Sequence, residues 1–85
     1  MQIAEIQKDT RAFLIETFLF GRSVELKNEQ ALLGTVIDST GVLELVGFLQ
    51  EHFSIVVADE DVTPENLNSV DTITTYVQRK LLGKA

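Results

Sequence analysis

The chain predicts an all-α domain, on three observations. Apolar residues recur at spacings of three and four in three separate segments, which is the period of a helix with one buried stripe. The apolar, β-branched run Ile55-Val56-Val57 is three residues long and has no partner segment with which to build a sheet. The composition, 45% hydrophobic and 24% charged with one Pro and five Gly, is that of a globular chain and too apolar for a disordered one. Eighty-five residues bury only about 60 to 65% of their unfolded surface, so residues 1–85 are expected to form one domain around one core. There is no cysteine, and packing must do without disulfides or thiolate metal sites.

Ile3, Ile6, Thr10, Phe13, Leu14, Thr17 and Phe18 predict a first helix over about 2–19, with Gly21 marking its end. Residues 20–37 have mixed polarity, two glycines and the pair Leu32-Leu33, which predicts a long connection pinned to the core by leucines. Asp38 or Ser39 can cap the next helix, since either side-chain oxygen can accept from first-turn amides. That helix is expected to reach about Phe53, with Val42, Leu45, Val46, Leu49 and Phe53 as its core stripe. Glu44, Phe48 and Glu51 then fall on another face, an exposed acidic ridge carrying an aromatic. Ile55-Val56-Val57 follows as a buried loop, and residues 59–66, with Pro64 at a first-turn position, predict one or two short helical turns. Ser69 caps a final helix built on Val70, Ile73, Tyr76, Val77 and Leu81, which ends near Gly83 with Arg79 and Lys80 at its negative end.

The charge distribution limits the partners. From Asn28 through Gln78 there is no Lys or Arg, while Glu29, Asp38, Glu44, Glu51, Asp59, Glu60, Asp61, Glu65 and Asp71 all fall there. A net charge of -6 disfavours nucleic acid and the anionic face of a membrane, because phosphates would be repelled. No apolar stretch approaches the roughly 18 to 20 residues needed to cross a bilayer. The amino-terminal residues lack a basic segment followed by an apolar run, so the expectation is a soluble, cytoplasmic protein whose partners are proteins with basic surfaces.

Catalytic arrangements are not evident. Ser39 would need a base, and the only histidine, His52, is thirteen positions later on the same predicted helix, roughly 20 Å along its axis. His52 is expected to face solvent. Asp59-Glu60-Asp61-Val62-Thr63-Pro64-Glu65 has oxygen ligands at alternate positions, but counting from Asp59 a calcium loop would need Gly where Pro64 stands and Glu where Val70 stands. No metal site is expected. With no base, oxyanion arrangement or metal, the chain is not expected to be an enzyme.

What distinguishes Ser39 from an ordinary cap is its surroundings: Asp38-Ser39, then Val42-Leu43-Glu44-Leu45-Val46, then Phe53, an acidic short helix, and Ser69-Val70-Asp71 opening the last helix. Over nearly the whole chain this pattern resembles the acyl carrier protein family, which includes the carrier domains of polyketide and peptide synthesis. The resemblance implies a four-helix bundle, three longer helices and one short, with a long loop between the first two. It implies that Ser39 carries 4'-phosphopantetheine through a phosphodiester, transferred from coenzyme A by a separate phosphopantetheinyl transferase, with acyl or aminoacyl groups riding on the arm as thioesters. Its partners would be that transferase, an acyl- or aminoacyl-loading ligase, and downstream acyltransferase or synthase enzymes. Asp38, Glu44, Glu51, Asp59, Glu60 and Asp61 are the docking candidates, where charge complementarity would speed transient encounters. Val42, Val46 and Leu49, with Val62 and Leu67, are candidates to line an apolar pocket for a bound chain, or else plain core.

Three positions depart from the common family pattern. Thr40 stands where Leu is usual, Gly41 where Asp is frequent in fatty-acid carriers, and Val36 where Gly often precedes the serine. These point away from a standard fatty-acid-synthase carrier. The segment 64–70 looks more like that of stand-alone carriers serving adenylating enzymes. The expectation is a discrete, monomeric carrier. The alternative is a helical protein-interaction scaffold whose serine is never modified.

Overall fold

In the computed structural model residues 2–19 and 26–83 are described. They form four helices, α1 (Ile3–Phe18), α2 (Ser39–Phe53), α3 (Pro64–Leu67) and α4 (Val70–Leu82), with a 3-10 turn at Asp59–Asp61 ahead of α3. Three are long and one is short, and α4 packs against the other three to make a small bundle. The break expected at Gly21 lies outside the described residues.

Helix α1 buries Ile6, Thr10 and Leu14, one residue per turn at i, i+4 and i+8. Ile3, expected in the same stripe, is 50% exposed. It sits three residues before Ile6, about 60° round the helix and in the first turn. Thr10 is fully buried, and among the described residues its hydroxyl has no hydrogen-bond partner.

The connection to α2 is held from both sides. Arg11 on α1 donates to the Leu26 carbonyl at 2.9 Å and to Asn28 Oδ1 at 2.8 Å. Asn68, between α3 and α4, accepts on Oδ1 from the Leu32 and Leu33 amides at 3.1 and 2.9 Å, and its carbonyl accepts from Leu32 at 2.8 Å. Leu26 and Leu32 are buried as a result, which matches the expected pinning by leucine and extends it. Residues 32–37 then turn tightly, the Ile37 amide donating to the Leu32 carbonyl at 2.9 Å, with Gly34 at φ 84°, where only glycine is unstrained.

In α2 the buried positions are Gly41, Leu45, Leu49 and Phe53. Val42 and Val46, expected in the core stripe, are only half-buried and pack on its edge. Phe48 departs further from expectation: it is no exposed aromatic on an acidic ridge but stacks on Phe13 of α1 at 4.2 Å between centroids and meets Phe53 edge-on at 5.8 Å. An aromatic pair of this kind adds about 0.5 to 1.5 kcal/mol to the burial of the rings, which outweighs leaving Phe48 in water.

After Ser54, in a left-handed conformation at φ 56°, the chain is extended. Ile55 and Val57 turn inward at 4% and 7% exposure while Val56 turns outward at 73%, so the expected buried loop is buried only at alternate residues. Pro64 occupies the first turn of α3. Ser69 caps α4 in a reciprocal box with Thr72, and α4 buries Val70, Ile73, Thr74, Tyr76 and Val77.

Candidate functional site

Ser39 is the first residue of α2, and its neighbour Asp38 is the cap. Asp38 Oδ1 accepts from the Gly41 amide at 2.7 Å, so of the two capping candidates Asp38 takes the role and the Ser39 hydroxyl is left to project. Ser39 and Thr40 are exposed. The amides of Ser39 and Thr40 have no intrahelical acceptor, and together with the positive end of the helix dipole they favour an anion at this turn.

The turn is seated on α1. A Cβ built on Gly41 would lie 2.7 Å from Phe18 Cε1, closer than real Cβ atoms come, and 3.1 Å from Ile37 Cγ2, a tight contact. Glycine at 41 therefore lets the first turn of α2 sit directly on the Phe18 ring. That ring in turn meets Phe13 edge-on at 5.9 Å. The packing gives a physical reason for glycine at this position.

The acidic candidates divide by their engagement. Glu44, Glu51, Asp59 and Glu60 are exposed. Asp38 is exposed too, although one of its oxygens is committed to the cap. Asp61 faces inward: Tyr76 donates to its Oδ2 at 2.8 Å, Lys80 Nζ lies 3.9 Å from the same oxygen, and its carbonyl accepts from Asn66 Nδ2 at 2.9 Å. The Tyr76 hydroxyl is pushed up to about 12, by burial first and then by the hydrogen bond and charge of Asp61. Asp61 thus ties the acidic turn to α4.

His52 is far from Ser39, at the other end of the same helix. It was expected to face solvent, and its side chain is 43% exposed, yet Nε2 lies 2.9 Å from Asp9 Oδ2 and the ring stacks on Phe48 at 4.9 Å. With Phe13 and Phe48 it forms a side-chain bridge between α1 and α2. Neither Asp9 nor the stack is signalled by local sequence, because the two helices meet only through the fold.

The apolar pocket candidates divide by burial. Leu49 and Leu67 are fully buried core residues, Val42 and Val46 pack half-buried on the core edge, and Val62 is 38% exposed. A cavity of about 280 Å³ lies elsewhere, at the carboxyl ends of α2 and α4, lined by Ser54, Ile55, Val56, Arg79, Lys80 and Gly83. Among the described residues no group of three or more His, Asp or Glu could hold a metal ion, and no helix is long and apolar enough to cross a membrane. No protein-family model matches the chain, and no curated protein matches it significantly.

Proposed function

We propose that the chain is a cytoplasmic carrier that receives 4'-phosphopantetheine on Ser39 and presents acyl or aminoacyl thioesters to partner enzymes. The observation that carries this reading is the presentation of Ser39: an exposed hydroxyl at the first position of α2, freed from capping by Asp38. The residues present fit the group. A phosphodiester at Ser39 would lie against the positive end of α2 and beside amides without intrahelical acceptors, and nothing buried has to move to admit it. When attached, the arm would supply the thiol that this cysteine-free chain lacks. The protein's own contribution is to hold the hydroxyl out from a rigid turn and to offer acids to basic partners. Glu44 and Glu51 on α2, with Asp59 and Glu60 beyond it, are the exposed acids for docking a phosphopantetheinyl transferase and, later, loading ligases and acyltransferases. The carrier acts as a monomer and runs no chemistry itself.

Intact mass after co-expression with a broad-specificity phosphopantetheinyl transferase tests the proposal. The expected result is one phosphopantetheine increment on the wild type and none on Ser39→Ala. An unchanged wild-type mass would overturn it and leave a helical interaction scaffold.

A further inference from the structure

We propose that the cavity at the carboxyl ends of α2 and α4 binds a small carboxylate with an apolar chain, of the size of hexanoate. At about 280 Å³ the cavity is close to the lower edge of ligand pockets, roughly 300 Å³, and holds about nine water-sized volumes of ~30 Å³ each. The length of α2 separates it from Ser39, roughly 22 Å for its fifteen residues, and no residue of the carrier proposal lines it. The site is therefore independent of that proposal.

Its lining has two halves. Ile55 and Val56 form an apolar wall, and Val56 at 73% exposure gains cover when an alkyl chain lies against it. Arg79 and Lys80 line it as well, adjacent cations in a chain of net charge -6 whose residues 28–78 carry no Lys or Arg. Both retain donors for a ligand. Arg79 spends Nη2 on Asn66 Oδ1 at 3.0 Å, one of five N–H groups. Lys80 has Asp61 at 3.9 Å, but with side chains 35% and 30% exposed such a pair is worth little and Lys80 can turn to a better acceptor. A neutral alkane uses only the wall, and an alkylammonium is repelled by both cations. An alkyl chain ending in a carboxylate uses both halves.

The test is a titration of the unmodified, ¹⁵N-labelled protein with sodium hexanoate at low ionic strength, followed by amide NMR. Saturable shifts are expected at residues 54–57 and 79–83, with affinity rising about fourfold per methylene from butyrate to hexanoate. Hexanoate should bind about fivefold more tightly than hexanol, through charge-assisted contacts with Arg79 and Lys80. Val56→Glu changes an exposed position, so the native spectrum should persist while affinity falls at least about tenfold by like-charge repulsion. Lys80→Gln should weaken binding about threefold. Equal affinity for hexanol and hexanoate, wild-type affinity in Val56→Glu, or shifts clustered at residues 39–46 would each overturn the proposal. A chain that fails to take phosphopantetheine but binds hexanoate in this way would sink the carrier function alone.

Discussion

Two glycines of α2 provide a paired test of how the helix is seated. Gly47→Ala adds a methyl that meets nothing within 4 Å, at an interior helical position where Ala is favoured over Gly by about 0.5 to 1 kcal/mol. Gly41→Ala gains less from propensity, because position 41 lies in the first turn, and its methyl would start 2.7 Å from Phe18 Cε1 and 3.1 Å from Ile37 Cγ2. Phe18 is half-buried and can tilt, but its edge contact with Phe13 limits how far. Overpacking of this kind costs about 1 to 3 kcal/mol. The two variants should therefore separate by about 1 to 3 kcal/mol, Gly47→Ala above wild type and Gly41→Ala below it. For a domain of this size that is a spread of roughly 4 to 24 °C in Tm, measured by calorimetry or by circular dichroism in parallel with urea unfolding. A double-mutant cycle adds specificity: with Phe18→Ala the penalty at 41 should shrink by about 1 kcal/mol or more. If the two glycine variants are equally stable, or if the costs at 18 and 41 simply add, the packing of α2 on Phe18 is refuted.

Thr10→Val removes a buried hydroxyl without a partner and should stabilise by about 1 kcal/mol, and a loss of stability in urea unfolding would mean the hydroxyl is paired. Asn68→Ala strips the acceptor from the Leu33 amide and should cost about 1 to 3 kcal/mol, whereas Asn68→Asp keeps the acceptor and should cost less, both read from urea midpoints. Tyr76 is neutral in the fold up to about pH 12 but ionises from about pH 10 when unfolded. Its contribution is fully present below pH 10 and lost as pH rises from 10 towards 12, and Tyr76→Phe should flatten that alkaline limb of stability against pH. Glu44→Lys should slow modification by the transferase and leave a weaker dependence of rate on salt than the wild type shows, and equal rates with equal salt slopes would show that Glu44 takes no part in docking.

Helix positions were legible because each long helix carries its own apolar period. Ser69, Pro64 and the pair Asp38-Ser39 are local signals of helix starts, and the structure uses Ser69, Pro64 and Asp38. What was not legible depends on which helix meets which. Phe48 reads as a member of an acidic face until Phe13 covers it, and Ile3 reads as core until the bundle leaves it outside. Arg11 and Asn68 hold the long loop through bonds spanning fifteen to thirty-six positions, which no local pattern announces. The apolar candidates near α2 carry the same ambiguity. A valine at helical spacing lines a pocket or fills a core according to its neighbours, and Leu49 and Leu67 fill the core.

The surroundings of Ser39 argue that two departures from the carrier pattern are of different kinds. Gly41 is buried, and a Cβ there would press on the Phe18 ring, so the packing of α1 on α2 favours glycine at this position. Thr40 points outward beside Ser39, and an exposed polar residue there changes the surface that a docking enzyme meets. Replacing Gly41 would thus act on Ser39 through the height of its turn, and replacing Thr40 through recognition. The first should appear as lost stability with modification of the folded fraction intact, and the second as a raised KM for the transferase with stability unchanged. The cap reinforces the distinction, because Asp38 holds the Gly41 amide and so locks the buried side of the turn while leaving the outer side, with Ser39 and Thr40, available.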